Sequence, residues 1–141
     1  MGAPLSGFVV HSEAEDGDIA ADANVDLQKP SPAVKGAMFL LDADTLTGTS
    51  PTLDVKLQAL VWADAKDATT DVWVDIPGAS FPQITTSNDN AARTLTVYPG
   101  IAETANVSVS DVLPQKIRVV LDLGGTDTPL APVTIVGYWL S

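Results

Sequence analysis

Residues 48–58 read GTSPTLDVKLQ, a turn-like stretch followed by a run in which leucine and valine alternate with charged or amide residues. Alternation with a period of two is typical of a half-buried β-strand. A similar phrase, GTDTP at residues 125–129, precedes the closing run 133–140, VTIVGYWL. Glycine accepts a positive φ, and proline cannot donate a hydrogen bond to a central ladder. Each phrase therefore predicts a turn that ends one strand and starts the next.

Further strand-like runs occupy most of the chain after residue 35. They are short apolar stretches or alternating segments, and they lie at 37–41, 71–75, 93–98, 106–110 and 116–123. The Pro-Gly-Ala sequence at 77–79 predicts a hairpin turn between the runs 71–75 and 81–85. About seven to nine short strands at this spacing predict an all-β fold, an antiparallel β-sandwich that is jelly-roll-like or Ig-like.

Residues 1–34 differ in composition from the rest of the chain. They are rich in acidic residues and alanine, and the sequence Lys29-Pro30-Ser31-Pro32 favours an extended backbone. We predict an extended N-terminal arm over 1–34 that carries one short strand at Phe8–His11, followed by the sandwich domain at 35–141. The alternative is an ordinary first strand followed by a solvated loop.

The charge balance excludes several kinds of partner. The 141 residues include seven basic and 18 acidic ones, which gives a net charge of −11. Nucleic-acid binding and binding to anionic membranes both depend on Lys and Arg, so we expect neither partner. The chain has no cysteine, which excludes disulfides and thiolate metal sites. The N-terminus lacks the basic and apolar regions of a signal peptide, and we expect synthesis and retention in a cytoplasm.

The residue types that catalysis needs are scarce. His11 is the single histidine, and a general base needs both a cleft and an orienting partner. Carboxylates are paired at 42/44, 16/18 and 64/67, but pairs near turns are commonly solvated loop residues, and no calcium loop of the EF-hand type is present. The sequence therefore predicts a non-enzymatic protein without a metal or cofactor.

The three tryptophans allow two interpretations. Trp62 and Trp73 flank a polar loop, and exposed rings on a β-sandwich can stack against sugars in carbohydrate-binding modules. Tryptophan in strands also fills core or interface volume, and Trp139 is expected to be buried in the apolar terminal run. We favour core packing and keep glycan stacking at Trp62 and Trp73 as the alternative.

Several segments follow one another in a distinctive order. They are LTGTSPTLDVKLQ at 46–58, IPGASF at 76–81 with QIT at 83–85, VYPGI at 97–101 leading to VLP at 112–114, and IRV at 117–119 leading to GTDTP at 125–129. In this order they resemble the capsid decoration, or cement, proteins of tailed bacteriophages, over roughly residues 36–140.

The resemblance implies a non-enzymatic virion protein that binds the outer capsid surface and stabilises the phage head. The implied partners are the major capsid protein and further copies of this chain, as a homotrimer. The implied location is the outside of the virion, after synthesis in the cytoplasm of the host bacterium. Two alternatives stay open: another virion component, such as a head–tail joining or tail protein, and a carbohydrate-binding β-sandwich module displayed on the particle.

Apolar strand faces that a monomer leaves uncovered are expected to make the capsid or subunit contacts. The candidate residues come from the first strand, the run 37–41 and the end of the chain, and they are Phe8, Val9, Val10, Phe39, Tyr138, Trp139 and Leu140.

Overall fold

A computed structural model describes residues 4–63 and 65–141. In these residues it contains nine strands, one short α-helix and one turn of 3-10 helix. The elements are β1 Pro4–His11, α1 Glu13–Asp16, β2 Ala23–Gln28, β3 Gly36–Ala43, β4 Thr47–Trp62, the 3-10 turn Ala68–Thr70, β5 Val72–Ser80, β6 Ala91–Val97, β7 Ser108–Val109, β8 Lys116–Leu130 and β9 Val133–Leu140.

The strands form two sheets that pack face to face. One sheet has the order β1-β9-β3-β6-β7 and the other has the order β2-β8-β4-β5. Every pairing between neighbouring strands is antiparallel except the short parallel pair β6–β7. The predicted all-β, antiparallel sandwich is therefore confirmed.

Three long segments run through both sheets. Residues 36–59 pair with residues 117–140 in a nearly constant register, first as β3 with β9 and then as β4 with β8. On the other side of 117–140, residues 4–28 pair first as β1 with β9 and then as β2 with β8. The segment that holds β8 and β9 is thus the middle of a three-stranded ribbon that is folded over to make the centre of both layers.

The ribbon crosses from one layer to the other at a single corner, where its pairing continues. Ile19 forms an isolated bridge with Ala131, and the N–H of Asp44 donates to the carbonyl of Pro132 at 2.9 Å. These contacts join all three segments at the point where each leaves one sheet for the other. The corner is consequently a hydrogen-bonded part of the fold.

The two Gly/Thr/Pro phrases lie side by side just beyond this corner. They open β4 and close β8, where Thr49 pairs with Thr126 and the register shifts on both sides of that pair. Gly48 and Gly125 have φ values of 109° and 114°. The predicted turns are therefore wrong, because the positive-φ glycines and the register shifts make a bulged length of ladder in which the strands continue.

The predicted hairpin at 77–79 is also wrong. Pro77, Gly78 and Ala79 lie inside β5, between the pairs Gln58–Asp75 and Lys56–Ser80. Four residues of β5, 76–79, therefore lie opposite the single residue Leu57 of β4, and the excess is taken up as a bulge. Residues 81–85 contribute a single bridge, Ile84 with Leu53, and no strand.

The N-terminal segment contributes two strands to the sandwich, whereas the sequence pattern predicted one. The boundary at residue 34 between an arm and a domain stays a prediction, but within 4–34 both β1 and β2 are hydrogen-bonded edge strands. Phe8 packs edge-on against Phe39, with ring centres 5.4 Å apart, and against Trp139 at 4.6 Å. Val25 and Leu27 of β2 pack against the buried core.

The core consists of the inward-facing residues of both layers. Phe39, Leu41 and Leu95 of the five-stranded sheet are fully buried, as are Leu53 and Ile117 of the four-stranded sheet. Alternation along each strand leaves the intervening side chains on the two outer faces. Those outer faces and the strand edges are the surfaces that other molecules can reach.

Candidate functional site

The residues first considered for catalysis have structural contacts. Nε2–H of His11 donates to the carbonyl of Gly17 at 2.8 Å, and Nδ1 lies 4.0 Å from a carboxylate oxygen of Asp16. That carboxylate also accepts the N–H of Ser12 at 2.9 Å, so these side chains hold the short helix against β1. Of the pair 64/67, residue 64 lies outside the described residues.

Asp42 and Asp44 lie at the end of β3, and Asp44 faces the helix α1. A hydrogen bond with Asp44, together with the negative charges of Asp44 and Asp18, raises the pKa of Glu13 above its ordinary value. Among the residues that the structure describes, no group of three or more His, Cys, Asp or Glu is placed to hold a metal ion. In that same part of the chain, no helix has the length and apolar character needed to cross a membrane.

The outer side of the five-stranded sheet carries an uncharged face, which we define as Val9, Met38, Leu40, Thr94, Val136 and Tyr138. Val9 pairs with Val136, Val136 with Leu40, and Leu40 with Thr94, so these four form a row across four strands. Met38 and Tyr138 pair in the next row, where the Tyr138 hydroxyl donates to the Met38 sulfur at 2.8 Å. Val9 is 59% exposed and Leu40 is 38% exposed.

A second apolar surface lies where β4 and β5 run together at the edge of the four-stranded sheet. We call it the β5 edge patch and define it as Val61, Trp62, Val72 and Val74. The exposed fractions of these side chains are 62%, 54%, 45% and 45%. β5 pairs with β4 alone in its sheet, so this patch borders an open strand edge.

The outer side of the four-stranded sheet holds a polar groove of about 490 Å³. At one end, Asp54 and Asp122 are directly opposite each other on β4 and β8, and Asp22 approaches from the loop before β2. A hydrogen bond with Asp22 and the negative charge of Asp22 raise the pKa of Asp122. Like charges that face each other across two strands are destabilising, so the carboxylates at this end of the groove lower the stability of the fold.

The other end of the groove contains a cation–π contact between an arginine and a tryptophan. The Arg118 guanidinium lies 4.6 Å from the ring centre of Trp73, and its Nε–H donates to the Gln58 side-chain oxygen at 2.8 Å. Gln58 in turn donates to Asp75 at 2.8 Å, and the Lys56 ammonium lies 3.0 Å from the same carboxylate. The hydrogen bonds from Gln58 and Lys56 lower the pKa of Asp75.

The structure separates the predicted contact residues into two groups. Val9 and Tyr138 lie on the uncharged face, and Phe8 is half-buried between Phe39 and Trp139. The other four, Val10, Phe39, Trp139 and Leu140, are buried in the folded chain. The runs 37–41 and 138–140 are apolar on both sides of the strand, so the sequence did not indicate which side faces outward.

The two tryptophans proposed for sugar stacking differ in their surroundings. Trp73 is half-buried and has the Arg118 cation over one ring face. Trp62 is more exposed and belongs to the β5 edge patch. A sugar ring that stacks on tryptophan needs an open ring face, so Trp62 fits this role better than Trp73 does.

Sequence reasoning missed Leu40 and Val136 of the uncharged face and the three valines of the β5 edge patch. No sequence signal marked Leu40, because the run 37–41 is apolar at every position and only the register of β3 with its neighbours places Ala37, Phe39 and Leu41 inward. No sequence signal marked the exposed valines of the patch either. Comparisons with protein-family models, with curated proteins and with solved structures found no match to this chain.

Proposed function

We propose that this chain is a non-enzymatic structural protein of a virion that binds the outer surface of a phage capsid and stabilises the head. The observation that carries the proposal is the uncharged face of the five-stranded sheet. The order of segments that resembles decoration proteins supports the same function. Its partners are the major capsid protein and further copies of the chain, as a homotrimer, and its location is the outside of the particle.

The charge of the chain supports the choice of the uncharged face as the binding surface. With a net charge of −11, the chain repels other acidic proteins over most of its surface. The central parts of protein–protein interfaces are depleted of charged residues and enriched in aromatic residues and methionine. This composition is found in the row Val9, Val136 and Leu40 and in the neighbouring residues Met38 and Tyr138.

The experiment is to add the purified protein to phage heads that lack it and to measure the bound copies after sedimentation. Decoration of a symmetric shell predicts copies in the hundreds per head, on heads without tails. About a dozen copies or fewer per particle, as expected for a part that sits at one portal vertex, would contradict decoration and favour a head–tail joining or tail protein.

A variant pair assigns the binding to the uncharged face. Leu40→Glu places a charge in the Val9–Val136–Leu40–Thr94 row of that face, and Val112→Glu places the same charge at an exposed site in the loop before β8. We expect Leu40→Glu to abolish head binding while its Tm stays close to that of the control, and Val112→Glu to bind normally. Equal binding by both variants would show that another surface is used.

A sugar-binding module is the second candidate, and the exposure of the Trp62 ring is the observation that favours it. Binding on a glycan array that is lost in Trp62→Ala and retained in Trp73→Ala would support this function. Loss in both variants would extend the site to Trp73, and absence of binding by the unaltered chain would eliminate the candidate.

A further inference from the structure

We propose that the polar groove on the outer side of the four-stranded sheet binds a small zwitterion, a ligand with an ammonium group at one end and a carboxylate at the other. The ligand carboxylate lies on the Arg118 guanidinium at one end of the groove. The ammonium group lies at the other end, among the carboxylates of Asp22, Asp54 and Asp122. This site goes beyond head binding, because it belongs to the four-stranded sheet and not to the sheet that carries the uncharged face.

The groove has the size of a ligand site and carries opposite charges at its two ends. Its volume of about 490 Å³ lies within the range of roughly 300–1,000 Å³ that is usual for such sites. The register of β4 and β8 places Asp122 opposite Asp54 at one end and Arg118 opposite Gln58 at the other. The row between these ends consists of Asn24, Val120 and Lys56.

The Arg118 side chain is held in place but is not neutralised by a carboxylate. Its guanidinium lies over the Trp73 ring, and its Nε–H donates to Gln58. Asp26 is directly opposite on β2, yet no ion pair joins it to Arg118. In the part of the chain that the structure describes, the two terminal nitrogens of Arg118 have no hydrogen-bond partner. Their N–H groups are suited to a ligand carboxylate, which arginine binds through two parallel hydrogen bonds.

The three carboxylates at the acidic end have no cationic partner. Neither of the ion pairs formed within the described ranges involves Asp22, Asp54 or Asp122. Lys56, the basic residue of the middle row, is paired with Asp75 at 3.0 Å. The hydrogen bond with Asp22 and the charge of that residue raise the pKa of Asp122, which is the effect expected of crowded carboxylates. A ligand cation at this end would therefore relieve repulsion within the fold.

The chemistry of the acidic end favours an ammonium group over a metal ion. Among the described residues, no group of three or more His, Cys, Asp or Glu is placed to hold a metal ion. An ammonium group donates three hydrogen bonds, so it can bond to each of the three carboxylates. The same carboxylates repel a ligand that is anionic at both ends. The two ends of the groove thus select a ligand with one positive and one negative group.

The distance between the two ends sets the length of the ligand. Arg118 and Asp122 are four residues apart on β8, which corresponds to roughly 13 Å between their Cα atoms at the rise of a β-strand. An extended chain of four residues spans at most about 14 Å. Tetraglycine with both termini charged is therefore a suitable probe, and forms in which one terminus is capped are its matched controls.

The probe is tested in a titration followed by NMR at pH 7. We expect tetraglycine to shift the resonances of the Arg118 Nε–H and of the backbone amides of Asp54 and Asp122. N-acetyl-tetraglycine lacks the ammonium group and tetraglycine amide lacks the carboxylate. Each should bind about tenfold more weakly, because each loses hydrogen bonds between charged groups. Equal binding by either capped form would overturn the proposal, as would the absence of shifts with tetraglycine.

Variants of the protein test each end of the groove. Asp122→Asn removes one carboxylate charge, and we expect about tenfold weaker binding together with a higher Tm at pH 7, since the same change relieves repulsion in the fold. This opposite movement of binding and stability separates a ligand contact from a structural role.

Arg118→Gln removes the cation and should also weaken binding of tetraglycine about tenfold. Lys35→Gln removes the same charge at an exposed site before β3, outside the groove, and should bind normally. Binding by Asp122→Asn or Arg118→Gln that equals that of the unaltered chain would contradict the proposal. These readouts need no phage heads, so they are independent of the test of decoration.

Discussion

Gly48 and Gly125 show at the level of single residues why the same phrase occurs twice. A Cβ on Gly48 would lie 2.8 Å from the Cα of Pro129, and a Cβ on Gly125 would lie 3.0 Å from the Cα of Pro51. Each glycine thus sits against the proline of the other phrase. The side chains of Thr49 and Asp127 are joined by a hydrogen bond in the same region. The repetition reflects two strands that interlock.

Gly48→Ala tests this interlock. We expect a loss of about 1–3 kcal/mol in the free energy of unfolding, because alanine is strained at positive φ and its Cβ meets backbone atoms. Gly100→Ala is the matched control, since Gly100 has a φ of 84° and a Cβ added there would meet no atom within 4 Å. Denaturant unfolding of both variants measures the difference. Equal losses would show that close packing against Pro129 contributes nothing.

The Asp22–Asp122 pair gives a prediction of pH dependence. The pKa of Asp122 is raised in the folded chain above its ordinary value of 3.8, first by the hydrogen bond with Asp22 and then by that residue's charge. The folded state therefore binds a proton that the unfolded state releases, and the unfolding free energy falls as the pH rises from 3.8 through the raised pKa. Both states bind the proton below that window.

Asp122→Asn removes this loss of stability. We expect its Tm to exceed that of the unaltered chain at pH 7 and to match it at low pH, below the ordinary pKa of the carboxyl group. Asp111→Asn, at an exposed site in the loop before β8, is the control outside the groove. A Tm difference that is the same at both pH values would contradict the assignment to the Asp22–Asp122 pair.

The N-terminal strands illustrate, at the level of elements, what the sequence could and could not predict. Alternation identified the strands around 53–57, 93–97 and 116–123, because each has one face in the core. The segment ANVDLQ at 23–28 alternates just as regularly, but its acidic surroundings led to its interpretation as an arm. The three apolar residues of β2, which are Ala23, Val25 and Leu27, are only partly buried, so the segment resembles a solvated one in composition.

The surfaces were harder to predict than the strands. Leu40 and Tyr138 lie in runs that are apolar on both faces, and only the register with neighbouring strands shows which side is outward. Val72 and Val74 of the β5 edge patch lie in a run that was predicted as a strand, and their exposure reflects the position of β5 at the edge of its sheet. Both failures concern side-chain direction, which depends on long-range pairing.

Deletion of residues 1–34 tests the structural role of β1 and β2. We expect the shortened chain to lose its cooperative thermal transition, because Phe8 no longer covers Phe39 and Trp139, and β8 and β9 lose a paired edge. Near-UV circular dichroism and amide hydrogen exchange report this loss. A shortened chain that melts at the temperature of the full chain would show instead that the segment is a dispensable arm.

The molecule as a whole combines strong negative charge with two apolar surfaces. The net charge of −11 keeps most of the surface repulsive toward other acidic chains. The uncharged face and the β5 edge patch lie on opposite layers of the sandwich, because one belongs to the five-stranded sheet and the other to the four-stranded sheet. We propose that the first surface packs on the capsid or on another copy.

A reconstruction of phage heads decorated with this protein is the decisive test of capsid binding through the uncharged face. We predict density for the sandwich on the outer capsid surface, with the sheet that contains Leu40 and Tyr138 turned toward a capsid subunit or a neighbouring copy. Heads without such density, or a sandwich whose uncharged face is turned to solvent, would contradict this function.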